Sequence, residues 1–252
     1  MGVPETSETE RLPPAAIDPL DHPLWFTLTG LLSHYGSGHG EARRFLPDVS
    51  TLAALGPGSG PEAWADLHGL LAPGEYVALF FLDPAPSFPI DSALRVVYEG
   101  DYDQMVCTEV QPPAIPPRDT TALVPLRQAD STEMLALVEL TEPGPFAERT
   151  HEVGRYVGVR TGDGQLVAMA GERSRLPGHI EISAVCTHPA HRGRGYADML
   201  VRELCSGALA GGSAPFLHVR SDNNTARRAY ERIGFTVRRK MKVIAVQRPR
   251  DT

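Results

Sequence analysis

Residues 192–198 read Arg-Gly-Arg-Gly-Tyr-Ala-Asp, two arginines and two glycines set immediately before an apolar stripe. Ala197, Leu200, Val201, Leu204 and Cys205 recur at helical spacing, so the stripe is one face of an amphipathic helix and residues 192–198 are its entrance. The first turn of a helix has backbone N–H groups without intrahelical acceptors, and the macrodipole adds partial positive charge there. Gly193 and Gly195 let the chain bend and let a ligand approach those amides, while Arg192 and Arg194 add charge. The predicted chemistry is capture of an anion, best a phosphate or pyrophosphate. The spacing matches neither the P-loop, which continues with Lys-Ser/Thr, nor G-x-G-x-x-G. Taken alone, it also fits a tight strand-to-helix turn with solvated arginines.

Other side chains with usable chemistry surround this entrance in sequence. Tyr230 shares a helical face with Ala226, Ala229 and Ile233, and Asn223 stands where that helix needs an N-cap. Glu172 and Glu181 lie on two strand-like runs. Cys186 alternates with Val185 and Thr187, so one strand face meets core while the other is open to a ligand. His188 and His191 flank Pro189 in a connecting loop, where capping or solvation is their expected role. Cys107, Cys186 and Cys205 have no metal-type spacing, so reduced thiols and no metal site are expected.

The elements that must position these groups alternate regularly in the second half. Strands are predicted over 122–127, 155–161, 165–173, 180–187, 215–220 and 235–246, with helices over 131–140 (Ser131 as N-cap), from Ala197 onward, and over 224–233 with Gly234 as stop. The Gly162-Asp163-Gly164 turn joins two of the strands. Four prolines in 111–119 mark a linker and a boundary between a 21–110 α+β unit and a 120–252 α/β unit; residues 1–20 read as a disordered tail. In the first unit, a helix is predicted over 23–35, stopped by the glycines of 36–40, and a second over 61–71. Strands follow at 76–82, 93–99 and 104–110. The 252 residues carry a net charge of −7, which argues against nucleic-acid or anionic-membrane partners. No signal core or membrane-length apolar run is visible, and a cytoplasmic location is expected.

Arg-x-x-Gly-x-Ala, preceded by a strand and His-Pro and followed by an amphipathic helix, resembles the coenzyme A pyrophosphate loop of the GCN5-related N-acetyltransferase (GNAT) superfamily. The segment 217–235, with Asn223, a tyrosine seven residues later and Gly-Phe, resembles that superfamily's closing motif. Residues 168–173 and 181–197 are most similar to its FR47-like branch, related to glycine N-acyltransferases. The resemblance covers about half the chain and implies a mixed central sheet flanked by helices, with acetyl-CoA as cosubstrate and an amine as acceptor. It implies that Val185, Cys186 and Thr187 meet the pantetheine arm in a splay between parallel strands. The pyrophosphate would meet the amides of Gly193, Arg194, Gly195, Tyr196, Ala197 and Asp198, with Arg192 beside them and Asn223 also contacting the coenzyme. It further implies Tyr230 as general acid, a strand amide near Val185 as oxyanion donor, and Glu181, eleven residues before Arg192, as general base, with Glu172 a rival. Partial burial would raise the Glu181 pKa. A direct-transfer family leaves Cys186 a packing role rather than that of a nucleophile. The expected acceptor is a small amine or amino acid; alternatives are a protein or peptide N-terminus, or no transfer at all in an acyl-CoA sensor. The first unit, which lacks a second such loop, is either a degenerate copy of the fold or a unit that shapes the acceptor pocket or a homodimer surface.

Overall fold

In a computed structural model, which describes residues 17–85, 90–113 and 122–250, the chain begins with a turn of 3-10 helix at Pro19–Asp21 and helix α1 (Pro23–Thr29). Gly30 ends α1 sooner than the 23–35 pattern predicts: Leu24, Leu28 and Leu32 stay buried, but Leu31 turns to solvent. The glycines that follow do more than stop a helix. They form strand β1 (Gly36–His39), which turns at Gly40 into β2 (Ala42–Phe45) and is followed by β3 (Leu52–Leu55). Helix α2 (Glu62–Leu70) and β4 (Tyr76–Leu82) come next. The two strands expected at 93–99 and 104–110 are one, β5 (Arg95–Cys107), because pairing with a strand along its full length carries it through Gly100.

The second half contains β6 (Leu123–Leu126), α3 (Ser131–Thr141), β7 (Tyr156–Arg160), β8 (Leu166–Leu176) and β9 (His179–Thr187). It ends with α4 (Tyr196–Ala210), β10 (Ala214–Arg220), α5 (Asn224–Ile233) and β11 (Phe235–Gln247). Ser131 is the first helical residue of α3 rather than its cap; Asp130 precedes it, with its carboxylate turned back to the Arg127 N–H at 2.8 Å.

The eleven strands among the described residues form one mixed sheet in the order β1-β2-β3-β4-β11-β5-β10-β9-β8-β7-β6. Period-2 alternation sends side chains to both faces, and helices cover both. On the β1–β4 side, α1 packs on Phe45, Leu52 and Ala54, while α2 packs on Ala53, Leu55, Val77 and Leu79 of the opposite face. On the other side, Met134 and Leu137 of α3 meet Met169 and Cys186, while Leu200, Val201 and Leu204 of α4 meet Val157, Val167 and Ile182.

The two halves interleave. β5 lies between β10 and β11, antiparallel to both, and β4 pairs with the far edge of β11. Residues 114–119 of the expected linker and 1–16 of the expected tail lie outside the described residues. From Asp18 onward the chain is held: Leu20 is buried against Leu176 and Phe216, and Asp18 pairs with Arg238 at 2.6 Å.

A 120–252 fragment therefore loses both neighbours of β11 and one neighbour of β10, and exposes three unpaired strand edges. We expect it to be aggregated or molten by size exclusion and near-UV circular dichroism, while the full chain is cooperative. A fragment with native tertiary signal and a sharp unfolding transition would contradict this arrangement.

Candidate active site

β9 and β10 pair in parallel only at His179 with Ala214, Ile180 with Pro215 and Glu181 with Phe216. Beyond that vertex β10 continues to Arg220 against β5, and β9 continues to Thr187 against β8. Between Ser183 and Cys186, β9 has one more residue than β8 opposite it, a bulge at Ala184, whose φ is 52°. A non-glycine in that region costs about 1–2 kcal/mol, so backbone strain is concentrated where the strands part. Two cavities flank the opening and share Val185 and Pro143 in their walls.

The first, about 310 Å³, is walled by Val185, Cys186 and Thr187 and by the loop from His191 to Ala197. Gly193 and Gly195 have φ of 77° and 83°, and an added Cβ at either would touch nothing; the left-handed backbone, not space, is what calls for glycine. The first backbone bond of α4 runs from the Met199 N–H to the Gly195 carbonyl at 3.1 Å, so the amides of Tyr196, Ala197 and Asp198 have no helical acceptor. Arg192 is tied to the Thr187 carbonyl at 3.2 Å, and the Tyr196 ring is anchored in the core. The acid at the head of α4, Asp198, is neutralised by Arg202 at 2.6 Å. This cradle suits a phosphate or pyrophosphate. His188 accepts from the Ala190 N–H at 3.2 Å as a cap, and His191 stands against it. Burial pushes the Cys186 thiol up and its side chain packs toward α3, so it lacks the features of a nucleophile.

The second cavity, about 280 Å³, is lined by Tyr230, Val185, Arg173, His218 and an aromatic wall. The Asn223 Oδ1 accepts from the Ala226 N–H at 3.1 Å and caps α5, the helix that carries Tyr230. Burial pushes the Tyr230 phenol up to about 12, so it holds its proton throughout the neutral range. Tyr76, Ala78 and Phe80 of β4, Val243 and Ala245 of β11, and Tyr98 and Tyr102 of β5 line the same cavity. Small residues form the floor between the rings: Ala245 stands opposite both Ala78 and Tyr98, and Val243 opposite Phe80 and Gly100. A Cβ on Gly100 would lie 2.2 Å from the Tyr98 hydroxyl, so Gly100 is what lets that ring fold over the strand.

Glu181 corrects an expectation. Its side chain is 1% exposed rather than partly buried, and both oxygens are occupied. Oε1 accepts from Arg173 Nη2 at 2.5 Å and His218 Nδ1 at 2.7 Å; Oε2 accepts from Arg173 Nε at 3.1 Å and the Ser174 hydroxyl at 2.6 Å. Burial opposes the charge, yet the Arg173 guanidinium and the His218 hydrogen bond outweigh it and hold the carboxyl far below the usual carboxylate range. A group held so firmly ionised is a poor proton acceptor at neutral pH. Glu172 is elsewhere: it accepts from Arg175 at 2.8 Å and the Arg155 N–H at 3.2 Å and lines a separate cavity with Gly207. The structure thus brings Val185, the 192–198 loop and Tyr230 to one opening, puts Glu181 beneath it, and leaves Glu172 out.

Arg173, His218 and the wall of Tyr76, Phe80, Tyr98 and Tyr102 escaped the sequence reading. The alternation in 76–82 places Tyr76, Ala78 and Phe80 on one face, a signal for a shared surface but not for what that surface meets.

Residues 156–244 match the family model described as FR47-like protein. A solved structure described as an acetyltransferase of the GNAT family, from Novosphingobium aromaticivorans, is 37% identical, covers 92% of this chain and 99% of its own, and superposes with a TM-score of 0.81. A GCN5-related N-acetyltransferase from Kribbella flavida shares the fold at 18% identity, with a TM-score of 0.57 over 83% of this chain and 88% of its own. The N-alpha-acetyltransferase RimI of Mycobacterium tuberculosis is 38% identical over 102 residues, 37% of this chain and 62% of that protein. An uncharacterised protein of Mycobacterium leprae is 43% identical over 101 residues, 37% of this chain and 27% of its own length. The matched stretch thus spans less than two thirds of either mycobacterial relative.

Substituting Glu181→Gln leaves Arg173 buried without its counter-charge, and we expect about 3–5 kcal/mol lower unfolding free energy in urea at pH 7. The Glu181 pKa is lower folded than unfolded, so its contribution is present above the unfolded carboxyl pKa and is lost as pH falls below it. The gap between wild type and variant should therefore shrink on acidification below about pH 4. An unchanged gap across that range would show that the ionised carboxylate is not what stabilises the site.

Proposed function

The chain belongs to the GNAT family of acetyltransferases, and from that premise we propose that it moves the acetyl group of acetyl-CoA directly onto the primary amine of a small molecule or amino acid. The observation that carries this reading is the meeting of an anion cradle and an aromatic cavity at Val185 and Pro143, with the protonated Tyr230 phenol in the cavity wall. Bound acetyl-CoA supplies an activated thioester. The loop amides from Gly193 to Asp198, with Arg192 and Arg194, hold the pyrophosphate, and the free edge of β9 from Val185 to Thr187 receives the pantetheine arm. Asn223 orients α5 and borders the coenzyme.

In the transfer, the amine nitrogen bonds to the acetyl carbon and the carbon–sulfur bond breaks. Tyr230 gives its phenolic proton to the departing sulfur and regains one from solvent. A strand amide near Val185 takes up the charge that develops on the carbonyl oxygen. The proton shed by the amine passes to water, because Glu181 is committed to Arg173 and His218. Glu181 acts instead as a positioning residue.

Acetylation of a protein N-terminus is the second reading, favoured by the likeness to the Nα-acetyltransferase RimI. The small cavity with walls from both halves of the chain supports the small-acceptor reading over it. Tyr230 in the lining supports an enzyme over an acyl-CoA sensor.

Thiol release from acetyl-CoA should depend on small primary amines and be absent without them. Release with N-terminal peptides alone would favour the second reading, and coenzyme binding without release under any condition would favour a sensor. Tyr230→Phe should lower kcat by about a hundredfold or more while leaving the coenzyme A Kd, measured by calorimetry, nearly unchanged. Undiminished turnover in that variant would remove Tyr230 as the acid.

A further inference from the structure

Arg173 is 9% exposed and lines the aromatic cavity, yet only one edge of its guanidinium is used. Nε and Nη2 bind Glu181 as a bidentate pair. Among the described residues, no hydrogen bond involves Nη1. The planar fork offers five N–H donors, so fixing one edge leaves the other preorganised for a second acceptor. Its orientation is over-determined: the Cζ sits 5.7 Å from the centre of the Phe80 ring, and Glu181 is itself held by Ser174 and His218. His218 also stacks on Phe80, at 4.4 Å between centroids, and its Nε2 accepts from Gln104 at 3.2 Å.

Arg173 is the one formally charged side chain among the described residues of the lining. Glu181 beneath it balances that charge, so what the lining offers an anionic group is the unused, directed N–H donors of the Nη1 edge. Two hydroxyls add donors at the same cavity: Tyr98 and Tyr102 lie 3.3 Å apart, so one bonds the other and a hydroxyl proton remains to be given away. Tyr76, Phe80 and Tyr98 over the Ala78–Ala245 floor present ring surface to a flat apolar group.

We propose that the acceptor is an amino acid with an aromatic or comparably flat apolar side chain, whose carboxylate is received by the Nη1 edge of Arg173. This rests on the small-amine acetyltransferase reading above and names its substrate class. Arg173 is then a specificity-determining residue, with Glu181 and Phe80 setting its direction.

The test compares L-phenylalanine, L-phenylalanine amide and phenethylamine as acceptors for the full chain, with kcat/KM corrected for the neutral-amine fraction of each. The carboxylate should exceed both others by about tenfold to a hundredfold, the range for a hydrogen bond to a charged group. In the double variant Arg173→Gln/Glu181→Gln, which removes the pair without leaving a lone buried charge, that ratio should fall toward one. A wild-type measurement guards against a variant that does not fold: in the presence of coenzyme A, calorimetry should find 3-phenylpropionate binding at least tenfold tighter than 3-phenylpropanamide. Equal binding of those two, equal turnover of the three amines, or a ratio that survives in a folded double variant would overturn the inference. Tight carboxylate binding without thiol release from any amine would overturn the small-amine reading while leaving the carboxylate site intact.

Discussion

One buried carboxylate, Glu181, bonds to both strands that flank its own. It holds Arg173 of β8 on one side and His218 of β10 on the other, at the last paired position before β9 and β10 part. Ladder hydrogen bonds keep strands together below this point, and above it β9 bends away through the bulge at Ala184. An opening between parallel strands is costly, because it leaves backbone groups unpaired and the strand ends free to close or fray. A charged bond at the vertex, saturated on both oxygens, fixes where the separation begins. The two cavities that flank the opening are both consequences of that fixed point.

The vertex is supported in turn from the other half of the chain. His218 takes a hydrogen bond from Gln104 of β5, whose amide also donates to the Leu20 carbonyl at 2.7 Å and accepts from Arg238 of β11 at 2.9 Å. Arg238 is paired with Asp18 and Asp21 beside α1. The polar chain from the N-terminal segment to Glu181 therefore crosses strands contributed by both halves. Neither half supplies the site alone: β5 is held between β10 and β11, and its tyrosines form part of the cavity they enclose.

What could be read in the sequence follows the range of the interactions. The glycine-rich entrance of α4, its apolar stripe, the Asn223 cap and the Gly234 stop depend on neighbours within a few turns, and their residue types carry that information. The fate of Glu181 depends on Arg173 and His218, which reach it from other strands, so its spacing from Arg192 was silent on whether it is free or engaged. Burial and pairing act on a carboxyl pKa with opposite signs, and only the partners decide which wins. The split of β5 into two strands failed for a related reason. Residues 100–103 show no strand pattern of their own, but Gly100 pairs with Val243 and makes room for the Tyr98 ring.

The same difference in range separates the two sides of the opening. The cradle side is nearly contiguous, residues 185–187 and 191–197, with contributions from Thr141 and Pro143. The aromatic side gathers residues from β3, β4, β5, β8, β9, β10, β11 and α5. Rings on β4 and β5 can change the shape of the acceptor cavity without touching the α4 cradle, since they project from the far side of the splay. Arg173 is different. Its unused edge belongs to the cavity wall while its bound edge serves the vertex, so the cavity wall and strand separation are coupled through a single guanidinium. A substitution there cannot reshape the cavity wall without disturbing the vertex, so if the proposed acceptor site holds, Arg173 is where the sheet joins its stability to its choice of substrate.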